Sequence, residues 1–222
     1  MPMLEIIAET LEDAQNAVQG GADSLELITR LEMGGLTPDL EFVKAVHNHV
    51  DCHLYVMLRP HANSFIYNAI DREHIFAMLE AIKPIGVTGV VFGALTHDGN
   101  LDLELIQQVA QRKGTLQLTI HRALDHTNNP DVSLRSLVGI ANRILCSGGA
   151  SDIVQGQHTM ARWVRDYGKH FSFGCAGGVT LENIAQLAAV TSAHEMHCGS
   201  AARLNGIVNV EKVRALKHKL IQ

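Results

Sequence analysis

The 222-residue sequence predicts an α/β fold, a single closed (β/α)8 TIM barrel. Three observations lead there. Short apolar runs alternate with amphipathic stretches from end to end, eight such runs can be counted, and no linker rich in Pro, Gly or Ser divides them. The whole chain, 1–222, therefore reads as one barrel domain. An open doubly wound sheet fits less well, because such sheets usually end with fewer units, and closing the barrel removes the sheet edges.

The runs begin near Leu4, Ser24, His53, Thr88, Thr115, Arg143, His170 and His194, one βα unit apart. Thr10 can cap a first helix to about Gln19, which Gly20-Gly21 ends. Thr37-Pro38 places a cap before proline at the first helical position of the second. A long helix from about Asp71 stops near Lys83, before Pro84. Thr180 can cap a later helix, and Val210 to Leu220 closes the chain.

Alternation within the strands tells which side chains enter the lumen. In Thr115 to His121 the apolar face is Leu116, Leu118 and Ile120, so Gln117, Thr119 and His121 point inward. In His53 to Arg59, His53, Tyr55, Met57 and Arg59 do so. The same logic turns Glu5, Ile7 and Glu9 inward in the first strand and Glu26 in the second, and places Glu195 and His197 on one face of the last. A barrel interior is normally filled by Val, Ile and Leu. The inward set Glu5, Glu26, Arg59, His121 and His197 therefore either pairs internally or lines a pocket, and charge inside a barrel favours the pocket.

Composition excludes several classes. Net charge is −5 with both signs mixed, unlike a nucleic-acid binder. No apolar run approaches the ~18 residues of a membrane span. Met1-Pro2-Met3-Leu4-Glu5 lacks the basic and apolar regions of a signal peptide, so a cytoplasmic location is expected. The cysteines Cys52, Cys146, Cys175 and Cys198 have no CxxC spacing and are expected as free thiols.

Four groups could carry chemistry. Arg59, fixed by Pro60 after the third strand, suits a carboxylate or phosphate, or a salt bridge to Glu26. His121 ends the fifth strand and can serve as general acid or base, with Asp125 placed to orient it or to cap the next segment. Ser147-Gly148-Gly149, Gly177-Gly178 and Gly199-Ser200 follow strands six, seven and eight, where backbone N–H groups can bind an anion; loops seven and eight are the common phosphate site of this fold. Cys146, Cys175 and Cys198 end the same three strands and form a candidate soft-metal set, with copper the metal that fits thiolates.

The chain resembles the CutC family of copper homeostasis proteins over nearly its whole length. The resemblance rests on Leu4-Glu5-Ile6, Gly21-Ala22-Asp23, Leu25-Glu26-Leu27, Gly34-Gly35-Leu36-Thr37-Pro38, Leu58-Arg59-Pro60, Asp98-Gly99-Asn100 and His121-Arg122-Ala123. It continues through Asn129-Pro130, Ser147-Gly148, Gly156, Gly178-Val179, Glu182-Asn183 and a last match beginning at His197. It implies a TIM barrel, a cytoplasmic homo-oligomer, often a dimer, and a part in copper homeostasis through binding or trafficking of the copper ion. Where the family commonly carries cysteine after the Glu-Leu of strand two, this chain has Ile28, and its strand-end cysteines lie outside the family pattern. The residues themselves lean towards an enzyme acting on a small anionic, possibly phosphorylated, molecule. In that reading Glu5 or Glu26 and His121 transfer protons, Arg59 holds the anion and the glycine loops bind phosphate. A barrel that has lost catalysis and serves as a binding scaffold is the third reading.

Overall fold

The computed structural model describes residues 1–221. The eight runs are eight parallel strands: β1 (Met3–Ala8), β2 (Ser24–Leu27), β3 (His53–Met57), β4 (Gly89–Phe92), β5 (Gln117–Ile120), β6 (Arg143–Cys146), β7 (Ser172–Cys175) and β8 (Glu195–Cys198). Each pairs with the next, and β8 returns to β1 with Glu5 opposite His197, so the barrel is closed. The connecting helices are α1 (Leu11–Gly20), α2 (Leu40–His49), α3 (Ala69–Ile82), α4 (Leu103–Arg112), α5 (Pro130–Ser136), α6 (Ile153–Tyr167), α7 (Ile184–Thr191) and α8 (Val210–Ile221). A short hairpin, β9 (Arg203–Leu204) with β10 (Ile207–Val208), precedes α8.

Local chemistry sets most helix ends. Thr10 accepts the Asp13 N–H and caps α1, and Gly21 ends it in the left-handed region at φ 98°. Asn68 and Asp71 form a reciprocal capping box on α3, two residues before the expected start. Two expected caps are corrected. Asp39, not Thr37, caps α2; the Thr37 hydroxyl instead accepts the Arg59 N–H at 2.7 Å, tying loop two to the end of β3. Thr180 does not cap α7, which begins only at Ile184, because Asn183 Oδ1 accepts the Thr180 N–H and holds a turn there.

The outward strand residues meet the helices in one apolar shell. Leu4, Ile6, Leu25, Leu27, Val56 and Leu118 pack with Val46, Leu79, Leu105, Trp163 and Val213, all essentially inaccessible. Fully burying a side chain of this size stabilises by about 1.5–3 kcal/mol, so this shell, outside the lumen, is what holds the barrel together. Inside, among the described residues, a small apolar cluster forms, Ile28, Tyr55, Met57 and Val91 with Ile7 and Leu31 against it. Much of the remaining lumen is polar, with Glu5, Glu26, Thr119, Arg143 and Glu195 buried.

Candidate functional site

At the floor of the lumen stands Arg143, the first residue of β6 and 3% exposed. Its Nε donates to Glu195 Oε1 at 3.1 Å, Nη1 to Thr119 Oγ1 at 3.0 Å and Nη2 to Glu5 Oε2 at 2.9 Å. Nη2 also meets Glu195 Oε2, and the guanidinium lies 3.7 Å from the centroid of the Tyr55 ring. Ser172 Oγ donates to Glu195 Oε1 and Ser24 Oγ to Glu5 Oε2. Burial alone would push the Glu5 carboxyl up, but Arg143 and His197 together hold it at about 2. Glu5 is thus a fixed anion, spoken for on both oxygens.

His197 links the floor to the mouth. Its Nδ1 lies 2.9 Å from Glu5 Oε1 and 3.6 Å from Glu26 Oε2. Burial disfavours its charged form, yet the two carboxylates outweigh that and raise its pKa. Burial pushes the Glu26 carboxyl up to about 7, with His197 opposing and Glu5 adding to the shift. Glu26 therefore changes charge near neutrality, and its Oε2 is buried without a hydrogen-bond partner.

Above this pair, at the C-terminal ends of the strands, lies a cavity of about 250 Å³. Glu26, Arg59, His121 and His197 line it, with Ile7, Met57, Phe65 and Leu145 as apolar wall. Arg59 does not pair with Glu26 as the salt-bridge reading had it. Its Nη1 donates to Met33 O and Gly35 O, each at 3.1 Å, and the guanidinium sits 4.8 Å from the centroid of Phe65. Its Nε is buried without an acceptor.

His121 Nδ1 accepts the Ala123 N–H at 3.1 Å, which places the ring proton on Nε2. That Nε2 is buried and unpartnered. Burial, reinforced by the Arg59 charge, pulls the imidazole pKa down to about 3, so the ring is neutral at physiological pH. Asp125 does not orient His121. Its carboxylate accepts the N–H groups of Ser147 and Gly149, which the loop after β6 delivers at 2.8 Å for each nearest contact, and the Nε of Arg122 in its own turn.

Of the glycine segments, Gly177, Gly178, Gly199 and Ser200 line the cavity. Gly177 (φ 82°) also leaves no room for a side chain: a Cβ there would lie 2.7 Å from Ser147 Oγ and 2.9 Å from Arg122 Cζ. Gly148 is not among the lining residues. It packs on α6, where a Cβ would come within 2.3 Å of Gly156 O, so its role is close approach of loop and helix. Cys146, Cys175 and Cys198 are free thiols buried in the outer apolar shell rather than in the cavity. Burial raises all three, Cys175 and Cys198 to about 12, and Cys175 Sγ lies 3.5 Å from Thr191 Oγ1. Among the described residues, the set of three potential metal-binding side chains whose donor atoms converge, within 4.8 Å, is Glu5, Glu26 and His197.

Sequence reasoning passed over Arg143 and Glu195 as site residues, and Arg122 and Phe65 as cavity wall. Alternation could have found Arg143, since Ile144 and Cys146 belong to the outer face. Phe65 lies in a loop, where no periodicity speaks.

The CutC family model matches residues 2–202. A protein named CutC from Mesorhizobium japonicum is 34% identical over 89% of this chain and 77% of its own length. The human copper homeostasis protein cutC homolog is 32% identical over 89% of this chain and 73% of its own. A solved CutC structure from Streptococcus agalactiae superposes with TM-score 0.84 at 25% identity, covering 90% of this chain and 99% of that one. Phosphoribosyl anthranilate isomerase from Thermotoga maritima, with TM-score 0.69 at 14% identity over 100% and 99% of the two chains, shares the fold.

Proposed function

The chain belongs to the CutC family, and from that premise we propose that it serves copper homeostasis by acting on a small anionic molecule, not by holding Cu(I) itself. The copper part of this reading comes from the name of its human relative. The observation that carries the rest is that Glu26, Arg59 and His121 all line one cavity and each has a buried polar atom without a hydrogen-bond partner, Oε2, Nε and Nε2 respectively. Buried polar atoms are satisfied as a rule, and a bound molecule with an anionic group and a carbonyl or hydroxyl can satisfy these three. Glu26, with His197 beside it, is the proton-transfer group of the site; Glu5 is excluded from that part by its bonds to Arg143 and Ser24.

A thiolate Cu(I) centre does not fit these residues. Soft Cu(I) calls for deprotonated thiols, and the three strand-end thiols are held protonated by burial and lie apart from the cavity. Glu5 and Glu26 offer hard oxygen donors and His197 a single ring nitrogen, with the Glu5 carboxylate already neutralised by Arg143. No described helix is long and apolar enough to cross a membrane. A cytoplasmic, single-domain homo-oligomer, with copper or a small anion as partner, is the setting the family resemblance implies, and light scattering of the purified chain tests its oligomeric part.

The test is a pair of titrations. Reduced protein is titrated anaerobically with Cu(I) against a chromophoric chelator, and separately with 2-phosphoglycolate by calorimetry. The expected result is that the chelator keeps the copper, while 2-phosphoglycolate binds and loses about tenfold or more in affinity in Arg59→Gln. Stoichiometric copper binding that disappears when Cys146, Cys175 and Cys198 are replaced by alanine would overturn the proposal.

A further inference from the structure

The cavity holds a neutral hydrogen-bond donor, a carboxylate with an oxygen that makes no hydrogen bond, and a guanidinium. His121 is fixed as the Nε2–H tautomer by the Ala123 N–H on its other nitrogen. At neutral pH it can donate a hydrogen bond but cannot take up a proton. Glu26 offers Oε2 with no partner, backed by His197 Nδ1 at 3.6 Å. Arg59, braced by Met33 O and Gly35 O, presents its cation to the same space. Removal of a proton from a carbon beside a carbonyl needs these three parts. A base with pKa near the working pH takes the proton, a fixed neutral donor stabilises the charge that develops on the carbonyl oxygen, and an anchor on a remote anionic group supplies binding energy.

Building on the anion-pocket reading above, we propose that the substrate is a small carbonyl compound bearing a phosphate or carboxylate. Glu26 removes the proton from the carbon next to its carbonyl, His121 Nε2–H binds the carbonyl oxygen, and Arg59 holds the anionic group. In the step, the C–H bond breaks and its electron pair becomes the C=C bond. The carbonyl π pair moves to oxygen, giving an enolate, and the proton resides on Glu26. Return of the proton to the same carbon reverses the step. Its return to the neighbouring carbon of a hydroxyketone, after the hydroxyl proton has passed to the enolate oxygen, completes an isomerisation. No oxidant, reductant or metal enters the balance. His197, which touches both Glu5 and Glu26, offsets the charge of Glu26 when it is ionised.

The experiment uses the intact chain in D2O with two substrates, dihydroxyacetone phosphate for the phosphate arm and pyruvate for the carboxylate arm. Exchange beside the carbonyl is followed by ¹H NMR. In parallel, calorimetry measures binding of the matching planar enolate mimics, 2-phosphoglycolate and oxalate. The expected result is exchange above the buffer rate in one arm, which identifies the anion. That rate should fall about 100-fold or more in Glu26→Gln and about tenfold in His121→Ala, while Glu26→Gln still binds the mimic. Glu26→Asp, which keeps the charge and shortens its reach, should fall between wild type and Glu26→Gln. A mimic that binds without exchange in either arm overturns enolisation and leaves the anion pocket standing. Absence of both binding and exchange overturns both, and exchange undiminished in Glu26→Gln removes the base from Glu26.

Discussion

The floor of the barrel and its mouth both bury Glu and Arg side chains, yet they treat charge in opposite ways. At the floor, each nitrogen of the Arg143 guanidinium has an acceptor, and both Glu195 oxygens are engaged. At the mouth, Glu26, Arg59 and His121 each leave a buried polar atom without a partner. A polar lumen is therefore not in itself a functional site. Charge that is fully paired specifies the interior, and polar atoms left without partners mark the mouth as the place where the proposed ligand would bind.

The sharpest way to break this contrast is at Arg143. Removing one member of a buried ion pair leaves an uncompensated charge, so Arg143→Leu should lose about 3–5 kcal/mol of stability. Urea unfolding followed by circular dichroism reads this directly. Near-wild-type stability would mean that the floor is not structural. The second test moves up to Glu26. Its folded-state pKa of about 7 lies above the ordinary 4.5, so the folded chain binds more protons than the unfolded one between those values. Stability associated with Glu26 is full below about pH 4.5 and is lost as pH rises to about 7. The raised His197 pKa acts in the same sense, its contribution present below the ordinary 6.5 and lost as pH climbs through the folded value. Glu5, held at about 2, has the reverse sign and loses its contribution only as pH falls from 4.5 towards 2. Glu26→Gln, uncharged at every pH, should therefore match wild type near pH 4. It should exceed wild type by on the order of 3 kcal/mol at pH 8. Parallel stability profiles for the two proteins would show that Glu26 does not titrate near neutrality.

The same contrast marks how far the sequence could be read. Period-two alternation found the strands and turned Glu5, Glu26, Arg59 and His121 into the lumen, because the apolar partners Leu25, Leu54 and Leu118 show the outer face; in the last strand it put Glu195 and His197 on one face without fixing which way that face points. It could not rank these residues. Glu5 and Glu26 read alike, and only the position of Arg143, delivered to Glu5 from β6 on the far side of the barrel, makes one a fixed anion and the other a titrating acid. In the four-residue strand Arg143–Cys146 the outer face of Ile144 and Cys146 turns Arg143 inward, but alternation says nothing of which carboxylates it meets there. His121 and Asp125, four positions apart, suggested a couple; the loop after β6 captures the aspartate instead, a long-range fact with no local signature.

A smaller effect is expected at the rim. Gly177 combines φ of 82° with two neighbours closer than a Cβ tolerates, so Gly177→Ala should lose roughly 1–2 kcal/mol. Because the shift falls where Ser147 and Arg122 meet the cavity wall, 2-phosphoglycolate affinity should drop with it. Thermal melts and calorimetry on one preparation separate the two. A loss of stability with unchanged affinity would place Gly177 with the floor, as scaffold, and not with the mouth.

The smallest effect is expected from the thiols, and it tests the outer boundary of the site. Cys146, Cys175 and Cys198 face the helices, one shell outside the lumen, and burial holds them protonated. With a pKa of about 12, only roughly 10⁻⁵ of a thiol is thiolate at pH 7, and the thiolate is the form that attacks a disulfide or binds a soft metal. Half-buried Cys52 is raised to about 12 as well, first by burial and then by Asp51. A colorimetric disulfide reagent should therefore titrate all four thiols in denaturant and react slowly with the folded chain. Alanine at each strand-end position should remove no more than about 1–2 kcal/mol, the small volume of a thiol, and leave anion binding unchanged. Rapid modification of the folded protein at any of the three would mean that the outer shell opens at the strand ends. The division between a closed scaffold and the proposed ligand-binding mouth would then have to be redrawn to include the thiols.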